Sequence, residues 1–189
     1  PVPAMRPVNG TGFFTDFTDL AVDSAMLIVT HSSLMPGAVQ YRNYRQNNPY
    51  NRYNTVLADV DELYDQFGGG IPKHPFAIRR FAKMALTTYP TDPRGLFLIG
   101  KSVVTSPMSV LGEPVGTRPD SQGAYARSLV PTYGMPACDQ CFTIGLRFDP
   151  RNVEIPVGRL SANNVEEVLA YLAKVQATES QPRAAWMKN

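Results

Sequence analysis

Cysteine and histidine are scarce in this chain of 189 residues, with two of each and a single tryptophan. Cys138 and Cys141 alone cannot make a disulfide framework, and one C-x-x-C without a second pair lacks the four ligands of a zinc tetrahedron. Neither a metal nor a cofactor is expected. An excess of charge of one sign is also missing. Lys and Arg number 18 against 16 Asp and Glu, a net charge of +2 with no cationic cluster, which excludes the basic footprint of a nucleic-acid binder. Long apolar runs are absent: Ala25–Val29 and Leu96–Ile99 fall far short of the ~18 residues that span a bilayer, so no membrane-spanning segment is expected. The opening at Pro1 carries neither an initiator Met nor a signal-peptide pattern, and the expectation is a piece of a longer protein.

What is present suffices for one domain. Hydrophobic residues make up 43%, and the 14 glycines and 17 prolines stay below the roughly 25–30% that marks low complexity. A chain of this length buries roughly 70% of its unfolded surface. Pro1–Asp23, with Phe13, Phe14 and Phe17, has no regular period and reads as an entering arm that docks by its aromatics. Beyond it, apolar runs at Ala25–Thr30, Thr55–Val60 and Gly95–Gly100 read as buried strands. Between them lie helical patterns. Leu34, Ala38 and Tyr41 share one face, with Arg42, Arg45 and Gln46 elsewhere; Asp61–Phe67 ends at three glycines; Phe76, Ile78, Phe81, Ala82 and Ala85 form a stripe within Pro72–Tyr89. This alternation predicts an α/β fold with right-handed crossovers.

The connection from Lys101 to Asn152 is far longer than the usual ~4–6 residues and is rich in proline, which marks a functional loop or hidden short strands. Cys141–Leu146 and Val153–Val157 are the strand candidates. Asn163 or Asn164 then caps a last helix whose Val165, Val168, Leu169, Leu172 and Ala173 form a face, and Gln176–Asn189 trails off in polar residues.

Several groups invite chemistry. Gly95–Ser102 spells G-x-x-x-x-G-K-[ST], but Leu96–Ile99 are themselves the strand and no helix follows to hold a phosphate, so the match reads as coincidence. His31 follows the first strand, at the edge where open α/β sheets place ligands, although a capping histidine is the commoner outcome; His74 reads as solvated. Asp59 and Asp61 begin like a calcium loop, but Leu63 and Tyr64 stand where a third carboxylate and a glycine belong. For Cys138 and Cys141 three states stay open: a redox couple, a structural or labile disulfide, and two separate thiols. Spacing also leaves open a Cys138–His31 nucleophile pair, because such groups meet only in space.

AMLIVTHSSL at 25–34, ELYDQFGGGIPKHPFAIRRF at 62–81, RGLFLIGKS at 94–102, VPTYGMPACDQCFTIG at 130–145 and VEIPVGRLSANNVEEVLAYLAKVQATE at 153–179 together resemble the gingipain-type cysteine peptidases. That family includes the secreted gingipains and the sortase-like peptidase of type IX secretion. The resemblance implies a caspase-like fold, a three-layer α/β/α arrangement on a mostly parallel sheet of about four strands. It implies that 24–189 is the first, non-catalytic subdomain, since the family's catalytic His, in a Gly-His-Gly stretch, and its later nucleophilic Cys match nothing here. No catalytic residue carries over, and the substrate-binding residues stay unassigned. Asp139, Gly158 and Arg159 match structural motif positions, with Arg159 expected on a carboxylate or on carbonyls. Lys101 and Cys138 depart from the family's usual Asp and Ser. The implied partners are the second subdomain and, beyond it, secretion-system proteins or a polypeptide substrate, at a secreted or outer-membrane surface location. The competing expectations are an inactive gingipain-like binding module of a secretion complex and, more weakly, a nucleotide-binding protein using Gly95–Ser102.

Overall fold

The computed structural model describes residues 13–49, 51–103, 121–134 and 136–181, and for 121, 122 and 124 the backbone alone. The start of the expected arm, most of the first half of the 101–152 connection and the last residues of the polar tail lie outside that range. Four strands form one parallel sheet: β1 (Met26–Thr30), β2 (Thr55–Asp59), β3 (Gly95–Ile99) and β4 (Val157–Leu160), in the order β2-β1-β3-β4. Leu27 stands in register with Val56 and Leu96, so residues two apart repeat the same face across three strands.

Both faces are covered, which is why the strands read as unbroken apolar runs. Leu27, Val29, Val56, Ala58, Leu96 and Leu98 pack against α2 (Val60–Phe67) and α3 (Pro75–Thr88). Ile28 and Ile99, with Leu57 and Phe97, pack against α1 (Met35–Asn47) and the last helix, α5 (Val165–Glu179). The result is the expected three-layer α/β/α fold on a parallel sheet of four strands. Handedness explains the layers. The chain steps one way from β1 to β2 and the other way from β2 to β3, so right-handed crossovers set α1 and the α2–α3 pair on opposite faces. The step from β3 to β4 keeps the second direction, and its Phe142 and Ile155 accordingly join the α2–α3 side.

Caps terminate the elements. His31 accepts from Ser33 N–H at 3.2 Å and caps a 3-10 turn, Ser32–Leu34, that precedes α1. Asn164 accepts from Glu167 N–H at 2.9 Å while Glu167 accepts from Asn163 N–H at 2.8 Å, a reciprocal cap of α5 that holds the Glu167 carboxyl below its ordinary range. From the expected arm, Phe17 is buried against Phe67 and Phe81, whereas Phe13 stays exposed.

Five expectations need correction. The last strand is Val157–Leu160, not Val153–Val157: Pro156 has no N–H to give, although its carbonyl still accepts from Leu96 N–H. Cys141–Leu146 is no strand. It holds a 3-10 turn, Gln140–Phe142, and meets Val153 through one antiparallel bridge at Ile144. The long connection contains a helix, α4 (Ser121–Arg127). Helix α5 continues through Val175 to Glu179, because Arg45, Tyr44 and Asn48 of α1 and its end bind the Glu179 carboxylate; Arg45 is therefore buried. Phe76 and Ala173 stand outside their stripes, Phe76 being exposed with its ring against His74 and Tyr133.

Candidate functional site at the carboxyl edge of the sheet

Where the strand order reverses, between β1 and β3, open α/β sheets leave a crevice outside the carboxyl ends of the strands. The groups singled out in the sequence gather at this edge. His31 follows β1, Asp59 ends β2, Gly100 follows β3, and Arg159 lies in β4.

Arg159 organises the right-hand half. Its side chain is 10% exposed and makes five bonds: Nε and Nη2 to the two oxygens of Asp139, at 2.6 and 2.8 Å, and the remaining donors to the carbonyls of Gly100, Val130 and Pro131 at 2.8–2.9 Å. Thr132 Oγ1 adds a bond to Asp139 at 3.0 Å. One guanidinium thus ties β3, β4 and the 128–139 segment together, as expected of a buried arginine with planar, bidentate donors. Gly158, beside it, lies over Phe97: an added Cβ would meet that ring at 3.5 Å.

Cys138 and Cys141 are joined as a disulfide, with Cα atoms 5.3 Å apart, so of the three states the spacing left open the structure holds this one. Asp139 lies inside the four-residue ring. The next residues are pinned by Arg79, which donates to the carbonyls of Cys141, Ile144 and Gly145 at 2.7–3.2 Å. Gly145 sits at φ 62°, and a Cβ there would meet Pro150 Cα at 2.9 Å, so the turn carrying Phe148 requires glycine. Phe148 is fully exposed at its tip.

The left-hand half is acidic. Asp59 is buried and accepts from Asp61 N–H at 2.9 Å; burial pushes its carboxyl up to about 6. His31 Nε2 approaches Asp61 at 3.6 Å while Nδ1 meets Ser33 Oγ at 2.8 Å. Tyr64 is 3% exposed and its hydroxyl has no hydrogen-bond partner among the described residues; burial first, then the charge of Asp61, pushes its phenol up. Between the halves, Lys73, Tyr125, Val103, Ser128, Pro131, Thr132 and their neighbours line a crevice of about 230 Å³. The Lys73 ammonium donates to the Tyr125 carbonyl and lies over its ring.

This geometry disposes of two sequence ideas. Cys138 sulfur is bonded to Cys141 and His31 is held by Ser33 and Asp61, so the two form no nucleophile pair. In Gly95–Ser102, the amides of Gly100 and Lys101 donate to the carbonyls of Leu160 and Ala162, and Val103 N–H donates to Ser128 Oγ, leaving these donors unavailable to a phosphate. Among the described residues no group of three or more His, Cys, Asp or Glu is placed to hold a metal. Sequence reasoning missed Thr132 and Arg79. Their partners are 7 and at least 62 residues away, and no local pattern distinguishes either side chain from a solvated one.

A four-stranded parallel sheet between two helical layers, with the described part of the long connection, residues 121–134 and 136–152, at its carboxyl edge, is an α/β domain of caspase-like fold. Peptidase family C25 matches residues 20–189, and the chain belongs to that family, the gingipain family. No curated protein matches the chain. Among solved structures it is similar to that of dimeric latent PorU from Porphyromonas gingivalis, with 20% identity and a TM-score of 0.59 over 80% of this chain and 15% of that chain. At that identity the likeness is one of fold, and the chain spans about 15% of the solved relative's length.

Proposed function

We propose that residues 24–189 are the first, non-catalytic subdomain of a gingipain-like cysteine peptidase, with residues 1–23 as an entering arm. Its role is to scaffold a second subdomain that carries the histidine and the cysteine. The parent reaction is thiolate attack on a peptide carbonyl, ending in hydrolysis or in transfer to an amine. One observation carries the reading: within a C25 match spanning nearly the whole chain, both cysteine sulfurs are consumed in a disulfide beside Asp139. The segment clamped by Arg159 forms the wall that this subdomain lends to the substrate cleft.

Purified residues 1–189 are expected to show no peptidase turnover on mixed peptide substrates, with or without a thiol reductant. Thiol-dependent cleavage that disappears on Cys138→Ser would overturn the proposal. A secreted or outer-membrane surface location accords with the disulfide, which persists in oxidising compartments. No described helix is long and apolar enough to cross a membrane.

A second reading, an inactive gingipain-like module that binds a protein in a type IX secretion complex, is favoured by Phe148, which is fully exposed on a turn pinned by Arg79, as interface anchors are. The coding sequence downstream of Asn189 separates the two. A Gly-His-Gly stretch and a later strand-terminal cysteine support the peptidase; their absence supports the module.

A further inference from the structure

The Cys138–Cys141 ring encloses the residue on which the carboxyl edge depends. Asp139 gives Arg159 two of its five bonds, and the other three reach the carbonyls of Gly100, Val130 and Pro131. Opposite the ring, Pro131, Thr132 and Gly134 line the crevice. The turn that presents Asp139 is only three residues long, Gln140–Phe142, and a 3-10 turn of that length has little stability of its own. It is held at one end by the disulfide and at the other by buried Phe142 and by Arg79 on the Cys141 carbonyl. Both cysteines are half-buried at the protein's edge, outside the two hydrophobic cores.

We propose that this disulfide is a redox latch: a dithiol opens it, Asp139 leaves Arg159, and the segment from Ser128 to Thr143 that walls the crevice loosens. The exchange has a defined direction. Cys141 N–H donates to Cys138 Sγ at 3.1 Å, so Cys138 is the better-stabilised leaving sulfur. A thiolate of the dithiol attacks Cys141 Sγ, the S–S bond breaks, and its electron pair leaves on Cys138, which then takes up a proton. The dithiol's second thiolate attacks its own half of the mixed disulfide and expels Cys141. Two electrons and two protons pass to the protein, and the dithiol departs as a disulfide. Reoxidation runs the sequence in reverse against an oxidised dithiol.

Opening the ring removes the covalent tie between residues 138 and 141 and lets two thiols separate beyond bonding distance. The bonds inside the loop, Cys138 N–H to the Tyr133 carbonyl and Cys141 N–H to the Cys138 carbonyl, then close a turn without its staple. Arg159 keeps the Gly100 carbonyl, and β3 and β4 stay paired through their own ladder, while the wall above them, with the carbonyls of Val130 and Pro131, moves.

The test is hydrogen exchange on residues 1–189, oxidised and after dithiothreitol treatment with iodoacetamide trapping, thiols being counted by mass. The expected result is a disulfide in the untreated protein, exchange accelerated about tenfold or more in peptides covering 128–145 after reduction, and unchanged exchange in β1 and β3. Asp139→Asn is expected to reproduce the acceleration with the disulfide intact, and reduction then adds little. Free thiols in the untreated protein, unchanged exchange on reduction, or acceleration spread equally over β1 and β3 would each overturn the latch. So would an Asp139→Asn protein that exchanges like the oxidised parent. If that variant fails to fold, the oxidised and reduced forms of the unsubstituted chain decide alone.

Discussion

Asp59 and Arg159 stand at the same sheet edge under opposite electrostatic conditions. Arg159 is compensated by a carboxylate and three carbonyls, whereas among the described residues buried Asp59 has one N–H bond and no bonded cation. Because burial raises the Asp59 carboxyl to about 6 against an ordinary 3.8, the folded state binds a proton that the unfolded chain has lost between those two values. Stability from this group is therefore full below about pH 4 and falls as pH rises through 6, a penalty on the order of 2–3 kcal/mol at neutral pH. Asp59→Asn, which keeps a capping oxygen, is expected to stabilise the protein by about 1–3 kcal/mol at pH 8 and hardly at all at pH 4 in urea titrations. An equal gain at both pH values would show that folding does not raise the Asp59 carboxyl. Arg159→Lys keeps the charge but loses the fork. Removing a partner from a fully buried pair costs roughly 3–5 kcal/mol, and with Asp139 27% exposed the expected loss here is about 2–3 kcal/mol, read as a shift of the urea midpoint.

At the scale of elements, what was legible followed from local rules. Continuous apolar runs located β1, β2 and β3, three glycines located the end of α2, and paired asparagines located the start of α5. What was not legible depended on distance. The helical pattern alone puts Arg45 off the apolar face of α1, yet it donates to Glu179, 134 residues away, over the rings of Tyr41 and Tyr44. Burial pushes Glu179 up, but the bonds from Tyr44 and Arg45 prevail and hold it below its ordinary value. The β4 boundary slipped because Val153–Val157 is as β-prone as Val157–Leu160, and pairing with β3 chose between them. At the site, a carboxylate or carbonyls were expected around Arg159, but which ones, Asp139 with Gly100, Val130 and Pro131, depends on distance and was not legible. The α1–α5 contact also rests on Gly37, where a Cβ would meet Val168 Cβ at 2.9 Å and the Val165 carbonyl at 3.4 Å. Gly37→Ala is expected to cost about 1–3 kcal/mol despite alanine's better helix propensity, measured by thermal unfolding. A stabilised variant would mean that α5 shifts freely over α1.

For the whole molecule, the order β2-β1-β3-β4 has a kinetic corollary. Every pairing is parallel and non-local: Thr30 Oγ1 donates to the Ile99 carbonyl 69 residues on, and Arg159 to the Gly100 carbonyl 59 residues back. Closing such loops precedes any reward from pairing, so refolding from urea is expected on the slow side, in milliseconds to seconds, when followed by Tyr fluorescence in stopped flow. A microsecond relaxation would contradict this account. During synthesis at ~5–20 residues per second, β1 emerges seconds before β3 can flank it. For that interval an inner strand of the sheet has β2 as its one available neighbour and an open edge on the other side, and its sticky MLIVT segment becomes a target for chaperones before it becomes a core.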